Sequence, residues 1–306
     1  MNQRNTKASV ALAFFIVLLA SFAAMSALTA GNLLQACVQE AVLALVALAA
    51  VKLAVPDALN RCTITVQQRG IVRFATIALL LVGLVGGAIT ILTWLFAGSS
   101  SIAGFEFAAL SSTVDLMKNL LLLLGICLLT GVYEESFMRV LGIETFERAL
   151  GEGGGASMCP VSELAADGRV ATPGDAERGV FRQPVVFDAV AKRAVVASAL
   201  LFALLHVGVL DLSTGQLVLM QTALKFVQAL LFGVILGVLY AQTRQLWPCV
   251  LIHAGFDVMY LGPYVLLTGA MPETYASGAA SDTVLLAVTT LMLVGVALKI
   301  RKEIAC

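Results

Sequence analysis

Eight apolar runs, each about long enough to cross a bilayer, limit what this chain can fold into more than any other feature. They fall near 9–29, 33–54, 75–97, 117–139, 194–210, 217–242, 247–268 and 283–299 of its 306 residues. A hydrocarbon core about 30 Å thick takes roughly 20 apolar residues of helix, and lipid offers backbone N–H and C=O groups no partner, so each run predicts a transmembrane helix. Composition agrees: 60% of residues are hydrophobic and 12% charged, more apolar material than a soluble core of this size uses. The predicted fold class is all-α, a polytopic membrane protein with about eight transmembrane helices. Arg4 and Lys7 precede the first run as they would in a signal peptide. That run is long for such a peptide and seven more follow, which predicts an uncleaved first span.

Formal net charge is zero, so no global field would attract nucleic acid, and none is expected as a partner. The distribution of charge is more informative. Arg4, Lys7, Lys52, Arg61, Arg69, Arg73, the stretch from Arg148 to Arg193, Arg244, Lys299, Arg301 and Lys302 all fall on one side of the predicted spans, whereas the loops near 30–32, 98–116, 211–216 and 269–282 carry no Lys or Arg. The positive-inside rule then places both termini and the 141–192 segment in the cytoplasm of a multi-pass cell-membrane protein. Six cysteines are scattered without C-x-x-C spacing, which indicates neither a disulfide framework nor a cysteine metal site.

Three regions follow from this layout: residues 1–113 with the first three helices, a core at 114–268, and 269–306 with the last helix and a short cytoplasmic tail. The core is interrupted at about 146–190 by a stretch rich in Gly, Ala and charged residues, expected to be a flexible cytoplasmic insertion. Its "GEGGGA" has no preceding strand and no following G-K-[ST], so nucleotide is not an expected partner.

Ionisable residues inside spans are costly and mark function unless a simpler account exists. The chain has two histidines, and both fall in apolar runs: His206 in "LLFALLHVGVL" and His253 in "LWPCVLIHAGFDVMYL". Asp257 follows His253 by four residues, so the two share a helix face, as do Phe202 with His206 and Glu135 with Arg139. Simple accounts cover part of this set. Glu135 and Arg139 are in the favourable order for an ion pair, Lys118 and Lys225 read as snorkelling side chains, and Gly83/Gly87 and Gly233/Gly237 as close helix contacts. A single intramembrane histidine can be a buried hydrogen-bonding residue. What these accounts leave over is the coincidence of Glu134, His206, His253 and Asp257 on three different spans.

The motifs "EESFMR", "FALLH" and "HAGFD", in this order on three of the spans, resemble those of the CaaX protease and bacteriocin-processing (CPBP, Abi) family of intramembrane endopeptidases, which includes the prenyl-protein endopeptidases. The likeness covers about residues 115–265. It implies an all-helical membrane fold with a catalytic cavity open to the cytoplasm, hydrolysing a peptide bond in a peptide or membrane-anchored protein. By the same resemblance Glu134 would be the base that activates water and His206 would share that role. His253 and Asp257 would stabilise the oxyanion, while Glu135, Arg139 and Phe202 would support the site. Asparagine is frequent in the family where this chain has Asp257, and an ionised aspartate donates no hydrogen bond. Asp257 is then protonated, orients His253, or helps hold a metal. Glu134, His206, His253 and Asp257 also form a chemically reasonable zinc set; the resemblance favours the route without a metal or other cofactor.

Two other readings use the same residues: a non-catalytic family member acting as a membrane scaffold or immunity-type binder, and a proton-coupled transporter. With the spans drawn above, Glu134 and His253 lie about 9 Å from the cytoplasmic edge and His206 about 20 Å, at ~1.5 Å per residue. That mismatch in depth must close if the four residues are to form one site.

Overall fold

The computed structural model describes residues 3–27, 33–60, 64, 66–97, 113–152, 189–207, 215–271 and 276–305. Most of the expected insertion, residues 153–188, and most of the loops without Lys or Arg lie outside the described residues. All regular structure among the described residues is helical. The helices are α1 (Gln3–Ala27), α2 (Leu33–Ala54), the single turn α3 (Asp57–Asn60), α4 (Val66–Ala97), α5 (Thr113–Glu135), α6 (Ile143–Glu152), α7 (Ala189–Val207), α8 (Gln216–Thr243), α9 (Leu246–Thr268) and α10 (Ala280–Ala305). Seven of them are long and apolar enough to cross a membrane, and α1 adds a shorter apolar stretch, Ser9–Ser21. The chain is an all-α polytopic membrane protein. Leu45, Leu121, Leu251 and Leu291 stand exposed on the outer surface of the bundle, where lipid rather than water is their natural solvent.

The centre of the bundle is α9, packed between α4 and α5, while α7 pairs with α8 and α2 with α5. Small residues bring these helices together, as their spacing predicts. A Cβ at Gly83 would meet the Phe256 carbonyl oxygen of α9 at 2.8 Å, and one at Gly237 would meet Val195 of α7 at 2.9 Å. Gly237→Leu is therefore expected to cost about 1–3 kcal/mol through overpacking. Gly295→Leu, where nothing lies within 4 Å, should cost far less. Melting temperatures of the two variants in detergent check this.

One boundary differs from the sequence expectation. The fourth span does not end near 139: α5 passes into a π-helical segment, Ser136–Gly142, and straight on into α6. The continuation is amphipathic, so no apolar run announces it. Ile143 is buried on one side, while Glu144 pairs with Arg148 at 3.3 Å on the other. Arg244, left-handed at φ 52° where it caps α8, reaches across to Glu147 at 2.6 Å and to Glu144 at 3.3 Å. Glu134 thus lies 18 residues before the end of α6, roughly 25 Å along the rod. His206 lies 17 residues into α7, which begins at Ala189 rather than 194, again about 25 Å. His253 lies only seven residues into α9, which begins at Leu246, so helix ends do not mark one common depth, and the site residues meet through the packing of the helices.

Candidate active site

The site forms where the end of α5, its π segment, α7 and α9 meet. Tight contact of α5 with α9 places Glu134 and Glu135 against His253 and Asp257. The π segment widens the helix just beyond the two glutamates, as such segments often do at functional sites. One carbonyl there, that of Met138, accepts a hydrogen bond from Ser198 of α7 at 2.6 Å, which ties α7 to the site.

Glu135 and Arg139 are completely buried and paired. Arg139 Nε donates to Glu135 Oε2 at 2.9 Å and Nη2 to Oε1 at 3.3 Å, as their order along the helix predicts. The guanidinium lies 4.8 Å over the ring of Phe202. Glu135 also holds a histidine, since His253 Nδ1 lies 2.8 Å from its Oε1. Because a carboxylate accepts, Nδ1 carries the proton and His253 turns Nε2 toward Glu134 and Asp257. That Nε2 lies 3.5 Å from Glu134 Oε2 and 3.5 Å from Asp257 Oδ2. Phe232 of α8 packs against the ring at 4.9 Å.

His206 is set the same way. Its Nδ1 donates to the Phe202 carbonyl at 2.9 Å, the two rings lie tilted at 41° with centroids 4.1 Å apart, and Nε2 points at Glu134 Oε2, 3.8 Å away. In the neutral ring this nitrogen is an acceptor. Two histidines from two helices thus aim their Nε2 atoms at one buried carboxylate oxygen, which has no hydrogen-bond partner of its own. All seven residues singled out in the sequence, Glu134, Glu135, Arg139, Phe202, His206, His253 and Asp257, come together here. Among the described residues no group of three or more His, Cys, Asp or Glu side chains has metal-holding geometry.

Two charged residues that the motifs did not include also face the site. Glu40, in the middle of α2, lies within electrostatic reach of His253 and Asp257 and hydrogen-bonds Thr130 of α5. The available signal was a lone carboxylate inside the second apolar run, which belongs to no spaced motif. Lys225 of α8 lies within electrostatic reach of Asp257 and Glu134. Its Nζ is 3.5 Å from Gln228 Oε1 and 5.9 Å from the centre of the Tyr260 ring, so it turns into the bundle and does not snorkel. Lys118 is exposed, as a snorkelling residue would be.

Residues 116–259 match the model of the Rce1-like type II CAAX prenyl endopeptidase family. This agrees with the resemblance carried by the three motifs, and at the family level it supports an intramembrane protease acting on peptide or protein. No curated protein and no solved structure matches the chain. The matched stretch of this CAAX endopeptidase-like core includes every site residue named above except Glu40.

Proposed function

We propose that the chain is an intramembrane endopeptidase in which Glu134, with His206, activates the water that hydrolyses a peptide bond. The observation that carries this reading is the buried Glu134 Oε2, without a hydrogen-bond partner and faced by two histidine Nε2 atoms at 3.5 and 3.8 Å. Those separations exceed a direct hydrogen bond and suit a water bridging carboxylate and imidazole. Glu134 takes a proton as the water oxygen attacks the scissile carbonyl carbon. His253, when its Nε2 is protonated, donates to the oxyanion that forms, an interaction worth about 3 kcal/mol per preorganised donor. Collapse breaks the C–N bond, and Glu134 returns its proton to the leaving amine. Each imidazole is held by a group behind it, Glu135 or the Phe202 carbonyl, so little reorganisation is needed.

The reaction so written uses no metal. The loop charges favour a cell-membrane protein with both termini and the 146–190 insertion in the cytoplasm, the cavity opening to that side, and the 114–268 core carrying the chemistry. The substrate class is a peptide or a membrane-anchored protein.

Cleavage of a quenched peptide library by the purified protein in detergent tests this reading. Wild type is expected to cleave with or without a strong chelator, and His206→Ala to lower kcat/KM by about 10²-fold or more, the usual size of an acid–base contribution. Loss of cleavage on chelation would make Glu134, His206, His253 and Asp257 zinc ligands. A folded wild type that cleaves nothing would favour the scaffold or transporter.

A further inference from the structure

Asp257 is the member of the site whose role the motifs leave open, and its surroundings are acidic. Glu134 lies beyond His253 Nε2 on the α5 side, Glu135 sits behind the same ring, and Glu40 of α2 is within electrostatic reach. Four carboxylates thus cluster around one imidazole inside a membrane bundle, and like charges at such range repel strongly in a low dielectric. Arg139 is committed to Glu135. Lys225 of α8 is a cation within electrostatic reach of Asp257 and Glu134.

Its placement is braced. Helices α8 and α9 run antiparallel, with Phe232 against His253 and Phe256 and, one turn deeper, Gln228 against Tyr260. Gln228 Nε2 donates to Tyr260 O–H at 3.2 Å and to Thr289 of α10 at 2.6 Å, which leaves its Oε1 turned to Lys225 Nζ at 3.5 Å. Tyr260 lies one turn beyond Asp257 on the same face of α9, and Lys225 Nζ stands over its ring. Three helices therefore hold one ammonium over the Tyr260 ring, one turn from Asp257 and within electrostatic reach of its carboxylate.

We infer that Lys225 is a positioning residue: its ammonium is the counter-ion of Asp257, and through Asp257 it fixes His253 Nε2 as a donor aimed into the cavity. An aspartate carboxylate 3.5 Å from His253 Nε2 attracts a proton on that nitrogen without a direct hydrogen bond, and the lysine balances the charge that an asparagine would not bring. The inference deepens the proposed reaction and rests on it only for the effect on turnover.

Two readouts test it. The chain has two histidines, so a ¹⁵N-histidine NMR spectrum of the full-length protein in detergent contains two rings, assigned with His206→Ala. Lys225→Met should move the His253 Nε2 resonance, Lys225→Arg should restore it, and in an Asp257→Asn background Lys225→Met should move it little. On the best peptide of the library, Lys225→Met should lower kcat at least tenfold with KM within about threefold, and Lys225→Arg should recover most of the loss. An unmoved His253 resonance in a folded Lys225→Met protein would overturn the inference, as would equal shifts in the wild-type and Asp257→Asn backgrounds. Wild-type cleavage that Lys225→Met leaves within threefold would overturn it without touching the protease reading. A wild type that cleaves nothing but shows the expected NMR shifts would support the pair while striking the protease.

Discussion

Glu134→Gln is expected to lower kcat by about 10³-fold or more while the melting temperature in detergent stays within a few degrees of wild type. Glutamine keeps the shape of the side chain but, with an amide nitrogen in place of one carboxylate oxygen, cannot take a proton from water, and positioned general bases contribute roughly 10²–10⁴ in rate. The fold should tolerate the change because Glu134 Oε2 makes no hydrogen bond that the substitution would break. Its neighbours His206 and His253 keep their orientation through Phe202 and Glu135. A variant that retains more than a tenth of wild-type kcat would remove Glu134 from the proposed role. Single-turnover measurement at saturating peptide is the appropriate assay, since it separates the chemical step from product release.

The adjacent glutamate should behave in the opposite way, through stability. Arg139→Met leaves Glu135 as a buried carboxylate with only His253 to face, and breaking a buried pair from one side typically costs about 3–5 kcal/mol. For a chain of this size that corresponds to roughly 10 °C in melting temperature. Activity should fall as well, because Glu135 Oε1 sets the His253 tautomer at 2.8 Å. The double variant Glu135→Gln/Arg139→Met removes both charges and should recover much of the lost stability, since two apolar or neutral partners escape the desolvation cost that one orphaned ion incurs. It should not recover turnover. If Arg139→Met melts within two degrees of wild type, the ion pair is not what holds this end of α5.

These two substitutions, at Glu134 and at the partner of Glu135, separate chemistry from support within a single motif. Adjacent positions on a helix point about 100° apart, so Glu134 faces the two Nε2 atoms while Glu135 turns toward Arg139 and the back of His253. The i, i+4 relations of Glu135 with Arg139 and of His253 with Asp257 were therefore readable from spacing, because a single helix carries both partners. The number of spans, the all-helical class and the candidate residues were legible for a related reason: the bilayer leaves the backbone one solution, and charged residues inside it are conspicuous.

Relations between helices were not legible in the same way. Nothing in the spacing of "QACVQEAVLAL" places Glu40 opposite His253, and Lys225 looks in the sequence like a residue near a span end, whereas α8 turns it toward Gln228 and Tyr260. The run of α5 through a π segment into α6 was hidden because its continuation is amphipathic, stabilised by Arg244 reaching back about a hundred residues to Glu147. Local periodicity and the cost of burying charge in lipid settled what elements this chain makes and which side chains are candidates for chemistry. Which nitrogen faces which oxygen, and which cation balances Asp257, depended on how five helices cross, because those distances are set by interhelical packing that no single stretch of chain encodes.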